Sequence, residues 1–123
     1  MFSVVVKSKI SSAHFLREYK GKCENLHGHN YLIEVKINSG KLNKEGMVVD
    51  FALLKALLKE ILIKIDHHLI NEIDFFKINN PTSENIALYI FLELKKRLEK
   101  DLTLEKVRIW ETDEQYAEYY END

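Results

Sequence analysis

With a single cysteine among its 123 residues, the chain cannot close an internal disulfide, and in an intracellular protein such a cysteine is either inert core or a working thiol. No apolar run approaches the roughly 20 residues that span a bilayer, which removes a helical membrane protein from consideration. The net charge is −2, and nucleic-acid binding would want a strong basic excess or patch. The opening MFSVVVKSK lacks the basic start and long apolar stretch of a secretion signal, so the expected location is cytoplasmic. There is no internal repeat, and no biased segment beyond an acidic tip at Glu121 to Asp123. What remains is one globular domain, residues 1–123, whose expected partners are small molecules.

The hydrophobic pattern predicts four strands and two helices. Phe2 to Ser12 reads as a strand from the period-2 phase of Phe2, Val4 and Val6. A second strand is clearer, with Tyr31, Ile33, Val35 and Ile37 alternating against Asn30, Glu34, Lys36 and Asn38. Asp50 is placed to N-cap a helix running to about Ile65, with Phe51, Leu54, Leu58, Ile61 and Ile65 at helical spacing. A loop through Ile73 to Asn80 follows. Pro81 and Thr82 then open a second helix, with Ala87, Ile90, Leu94 and Leu98 along one stripe, that frays near Lys100. Val107 and Ile109 mark a third strand, TDEQ a turn, and Tyr116 to Tyr120 a fourth. The order ββααββ describes an α+β domain, an antiparallel sheet with helices on one face. Its two sheet edges are open, and pairing with other subunits would close them.

The densest chemistry lies in KCENLHGHNY, residues 22–31. His27 and His29 are two apart, so an extended chain puts both imidazoles on one face, in phase with Tyr31 and Ile33. A catalytic zinc takes three protein ligands and keeps one position open. His14, at the end of the preceding strand, is the candidate third, brought alongside by a hairpin; two ordinary turn histidines are the plainer alternative. Cys23 precedes His27 by four residues; beside a cation its thiol would ionise readily and act as base or nucleophile, and otherwise it is a small buried hydrophobe. Asp66 adjoins His67 and His68, and a carboxylate can orient a neighbouring imidazole for acid/base work, although residue chemistry alone does not choose between the two histidines. Glu111 shares parity with Val107 and Ile109. In a regular strand it would point to the apolar face and need a partner, such as a ligand with two adjacent N–H donors; a bulge would turn it outward.

Taken in order, these residues resemble the 6-pyruvoyl-tetrahydropterin synthase / 6-carboxy-tetrahydropterin synthase family nearly end to end. The likeness is carried by SSAHFL around His14, by C-E-N-L-H-G-H from Cys23 to His29, and by V-V-D-F at residues 48–51. It continues through Asp66 and His67, N-P-T-S-E-N from Asn80 to Asn85, and Glu111 with Thr112. The resemblance implies a tunnelling fold whose subunit sheets join in a trimeric barrel, two trimers stacking into a homohexamer. It implies Zn²⁺ on His14, His27 and His29, and Cys23 acting with Asp66 and His67. It implies a pterin anchored by Glu111 with Thr82 and Ser83, across a subunit interface. The implied substrate is 7,8-dihydroneopterin triphosphate, for whose phosphates Arg17, Lys20 and Lys22 are the nearest basic residues. The implied product is 6-carboxy-5,6,7,8-tetrahydropterin, with loss of triphosphate and acetaldehyde, feeding queuosine-type 7-deazapurine synthesis. One feature divides the family. Members with Glu-x-x-His-Gly-His release 6-hydroxymethyl-dihydropterin for folate synthesis, and here Cys23 and Glu24 satisfy both patterns, which makes Glu24 a second candidate base. Other outcomes to be told apart are 6-pyruvoyl-tetrahydropterin as product and a non-catalytic module that only binds zinc and a purine-like ligand.

Overall fold

Two long strands open the chain because their alternation lets one face be buried and the other stay wet. In a computed structural model describing residues 1–18 and 25–121, β1 (Phe2–His14) and β2 (His27–Ser39) form an antiparallel pair. Tyr31, Ile33, Val35 and Ile37 are fully buried, as their parity predicts. On β1 the same face carries Val6, Ile10, Ser12 and His14, all buried. After the helices come β3 (Thr103–Thr112) and β4 (Gln115–Tyr119), giving one four-stranded antiparallel sheet in the order β1-β2-β3-β4.

Helix α1 (Phe51–Leu62) starts where the Asp50 carboxylate accepts the Ala52 N–H at 2.8 Å, and it buries Leu54, Leu58, Ile61 and Leu62. Two details differ from the sequence reading. Phe51 is half exposed, and the helix stops at Leu62 rather than near Ile65. Lys64 and Ile65 donate to Ile61 and Leu62, three residues back, so the last turn tightens and throws the chain toward β1. The expected loop through Ile73 to Asn80 holds a short helix, α2 (Asp74–Ile78), preceded by a 3₁₀ turn at Ile70–Glu72. Ile70 and Phe76 drive it into the core, both fully buried; one turn is too short to show a helical period. Helix α3 (Ser83–Arg97) is capped by the Thr82 hydroxyl and ends at Arg97, short of the predicted Lys100, with Lys95, Lys96 and Arg97 favourably placed at its C-terminus. α3 packs on β3 and β4 and α1 on β1, so the longer helices cover one face of the sheet. The other face carries ion pairs, among them Arg108 with Glu118 at 2.8 Å and with Glu34 at 3.4 Å. Among the described residues no helix is long and apolar enough to cross a membrane.

The outer edge of β1 is filled one alternate residue at a time. Ser11 donates its N–H to the Asp66 carboxylate at 2.9 Å and accepts from the His67 N–H at 2.6 Å. The Ala13 N–H reaches the His68 carbonyl at 3.1 Å. Past the strand, Phe15 and Arg17 each exchange two hydrogen bonds with a side-chain amide, that of Asn71 and that of Asn80. Buried backbone groups need such partners. The segment after α1 is thereby fixed against the strand end that carries His14.

Candidate active site

Strand register assembles the histidines. His14 ends β1 and lies directly opposite His27, the first residue of β2, while His29 faces Ser12 and keeps the same side. The ring centroids stand 4.6 Å (His14–His27), 4.6 Å (His27–His29) and 5.0 Å (His14–His29) apart, all in edge-on arrangements. One nitrogen from each lies within 4.8 Å of the other two. Gly28, between them on β2, is opposite Ala13 and crowds nothing.

Hydrogen bonding decides which nitrogens face inward. A carbonyl oxygen can only accept, so His14 Nδ1, 2.8 Å from the Pro81 oxygen, and His27 Nδ1, 2.9 Å from the Asn25 oxygen, both carry the proton. The lone pairs are then on Nε2, and the two Nε2 atoms are 3.1 Å apart. His29 Nε2 is buried without an aligned hydrogen bond, although Glu111 Oε1 is 3.1 Å away. Burial, with lesser contributions from His27 and His29, holds the His14 pKa below the ordinary histidine range against the opposing pull of the Pro81 carbonyl and Glu111. Three inward-facing imidazole nitrogens, two of them oriented by backbone carbonyls, fit a divalent first-row metal such as zinc. Among the described residues the ligand group is these three, which leaves a position open on a tetrahedral ion. Tyr31, legible in the sequence only as core, places its hydroxyl 3.2 Å from His14 Nε2. Its shared parity with the histidines is the signal that could have found it.

Glu111 sits at a register shift between Trp110 and Thr112, the bulge considered from sequence, yet its carboxylate stays beside the histidines. Oε2 accepts from the Ser83 hydroxyl at 3.1 Å. Thr82 does not join that pair; its hydroxyl is spent on the Asn85 N–H at the start of α3. His14, His27, Thr82, Ser83 and Glu111 line one cleft of about 280 Å³.

The Asp66 carboxylate is 2.9 Å from His67 Nδ1, whereas His68 Nδ1 is turned to the Asp66 backbone oxygen at 2.7 Å. Geometry therefore pairs His67, and not His68, with the carboxylate. His67 is exposed and held at φ 59°. It lines a shallow cleft with His29, and also a larger one of about 670 Å³ with Lys9, Asn30, Trp110 and Asp66. That larger cleft lies outside the place where the metal-ligating nitrogens converge; donor chemistry, not size, identifies the site. Cys23, Glu24, Lys20 and Lys22 fall outside the described residues. The Arg17 guanidinium, considered for phosphate, donates to the Phe76 carbonyl at 2.7 Å.

A family profile described as 6-pyruvoyl tetrahydropterin synthase matches residues 3–122. The chain is 44% identical over 113 residues to an Archaeoglobus fulgidus protein provisionally named 6-carboxy-5,6,7,8-tetrahydropterin synthase, covering 92% of this chain and 90% of that one. It is 33% identical over 111 residues to the dihydroneopterin monophosphate aldolase of Pyrococcus furiosus, covering 90% of each. The solved structure of Caenorhabditis elegans 6-pyruvoyl tetrahydropterin synthase superposes with a TM-score of 0.85 at 34% identity, covering 98% of this chain and 96% of that one.

Proposed function

Because the chain belongs to the 6-pyruvoyl tetrahydropterin synthase family, we propose that it is a zinc-dependent lyase acting on 7,8-dihydroneopterin triphosphate. Its product is 6-carboxy-5,6,7,8-tetrahydropterin, released with triphosphate and acetaldehyde. The observation that carries this reading is the convergence of three imidazole nitrogens beside the Glu111 carboxylate. Zinc, when bound, supplies Lewis acidity toward the substrate's side-chain hydroxyls and so weakens the hold on the neighbouring C–H proton. Cys23 as thiolate takes up that proton, and His67, oriented by Asp66, handles a second. Glu111, held by Ser83, accepts the adjacent amino and ring N–H donors of the pterin, a match of two donors to one carboxylate; Thr82 completes that end by ordering α3. Proton transfers of this kind shift electrons within the pterin, so no redox cofactor is needed. The outward edge of β1 toward its N-terminus and the edge of β4 are the surfaces by which subunits would join into a barrel and then a hexamer.

A second reading is favoured by the adjacent Cys23 and Glu24, and by the likeness to an aldolase of dihydroneopterin monophosphate. In it Glu24 is the working base and 6-hydroxymethyl-dihydropterin the product. Incubating zinc-loaded protein with dihydroneopterin triphosphate and identifying the pterin by mass spectrometry separates the two. 6-Carboxy-tetrahydropterin with acetaldehyde is expected. 6-Hydroxymethyl-dihydropterin would establish the second reading, and 6-pyruvoyl-tetrahydropterin as sole stable product would overturn both. A Cys23→Ala protein that turns over unchanged would remove the thiol from the mechanism, and a wild-type protein that only binds would leave a non-catalytic module.

A further inference from the structure

The run from Asn80 to Asn85 lends Thr82 and Ser83 to the site, and its two asparagines have so far no role. Asn80 makes four hydrogen bonds in two directions. Its side-chain oxygen accepts the Arg17 N–H at 2.8 Å and its side-chain nitrogen donates to the Arg17 carbonyl at 2.9 Å, as a neighbouring strand would. Its own carbonyl accepts from the Asn85 amide at 2.8 Å and from the Thr82 N–H at 2.8 Å. Asn80 thus ties the chain three residues past His14 to the first turn of α3. The next residue, Pro81, is buried and offers its carbonyl to His14 Nδ1. Two residues further, Ser83 holds Glu111.

We infer that Asn80 is a positioning residue for the three-histidine site, acting through the Pro81 carbonyl to keep the proton of His14 on Nδ1 and its lone pair on Nε2. This rests on the metal-site reading given above. The partner of one imidazole nitrogen selects the atom left to bind metal, and losing such outer partners costs about ten- to a hundredfold in affinity. Asn80 acts one residue away from that partner, so the lower end applies. Proline has no N–H of its own to anchor it, so the direction of its carbonyl depends on the neighbours that are tied down. On the other side of the same strand end, Asn71 clamps Phe15 in the same manner.

The test compares Asn80→Ala and Asn80→Asp with Asn43→Ala. Asn43 also clamps a turn, accepting the N–H groups of Glu45 and Met47, but far from the histidines in the fold. Zinc affinity is measured by competition with a chromophoric chelator, and the His14 tautomer by ¹⁵N NMR of metal-free protein. The expected result is about tenfold weaker zinc binding for Asn80→Ala and loss of the dominant Nδ1–H signal, with Asn43→Ala matching wild type in both. Asn80→Asp keeps the oxygen that accepts from Arg17 and loses the donor, so it should fall between; it also serves if Asn80→Ala does not fold. Zinc affinity within about twofold of wild type in the folded Asn80 variant overturns the inference. Should wild type not bind zinc, the proposed function fails, and the tautomer then decides alone: an unchanged Nδ1–H signal overturns the positioning role, and its loss upholds it.

Discussion

His67 offers a perturbation whose outcome follows from backbone geometry. It sits at φ 59°, a left-handed conformation that costs an L side chain roughly 1–2 kcal/mol. It is kept there by the edge of β1, where its N–H meets the Ser11 carbonyl at 2.6 Å and Asp66 takes the Ser11 N–H at 2.9 Å. The ring is 79% exposed, so its contact with Asp66 adds about 0.5 kcal/mol or less. His67→Ala and His67→Gly remove that ring equally and differ only in the backbone. Glycine relieves the roughly 1–2 kcal/mol of strain and gives back about 0.4–1 kcal/mol through the freer unfolded chain. The glycine variant should therefore be the more stable of the two by about 0.5–1 kcal/mol. At about 2.1 cal/mol/K per residue, that is roughly 2–4 °C for a chain of this length. Thermal melts followed by circular dichroism measure it, and both variants should lose turnover by about a hundredfold or more if the ring carries a proton. An alanine variant as stable as the glycine one would refute the strain argument; a glycine variant with full turnover would refute the chemical one.

Chelation of the wild-type protein should lower its melting temperature, since a ligand at a hundred times its Kd adds about 2.7 kcal/mol, roughly 10 °C here; the melting temperature of His14→Gln should not respond to chelator. Without metal, the depressed His14 pKa means that the unfolded chain binds that proton more tightly. Stability is then fully present above the unfolded value, about 6.5, and falls as the pH drops through it toward the lower folded pKa; urea midpoints from pH 8 to 5 should show the decline, flattened in His14→Gln. Glu111→Gln removes a charged acceptor worth about 1.5–3 kcal/mol, so steady-state kinetics should show kcat/KM falling roughly ten- to a hundredfold with the melting temperature little changed. Asp50→Ala loses the α1 cap and should cost about 1 kcal/mol in urea unfolding with turnover unaffected.

Strand parity carried most of the site from sequence to structure. His27 and His29 share a face with Tyr31 because side chains alternate, and His14 meets them because a hairpin of two long strands closes at that end. Glu111 was harder, since parity argued for the interior and the frequency of bulges argued against it; the register shift is real, but Ser83 and His29 hold the carboxylate inward. The segment from Ile70 to Ile78 reads as loop because a 3₁₀ turn and a single helical turn leave no period to detect.

By itself the sequence determined the alternation that builds the sheet, the caps that begin the two long helices, the family, and the donor types able to hold a metal. These are local properties, fixed by side-chain chemistry and spacing. Only tertiary structure decided which nitrogen of each imidazole faces inward, that Asp66 pairs with His67 rather than His68, and that Thr82 is a cap while Ser83 is the partner of Glu111. Each of those depends on a carbonyl, an N–H or a hydroxyl supplied by a distant part of the chain, Pro81 for His14 and Ser11 for Asp66. Spacing along the chain carries no record of such partners, because folding creates them.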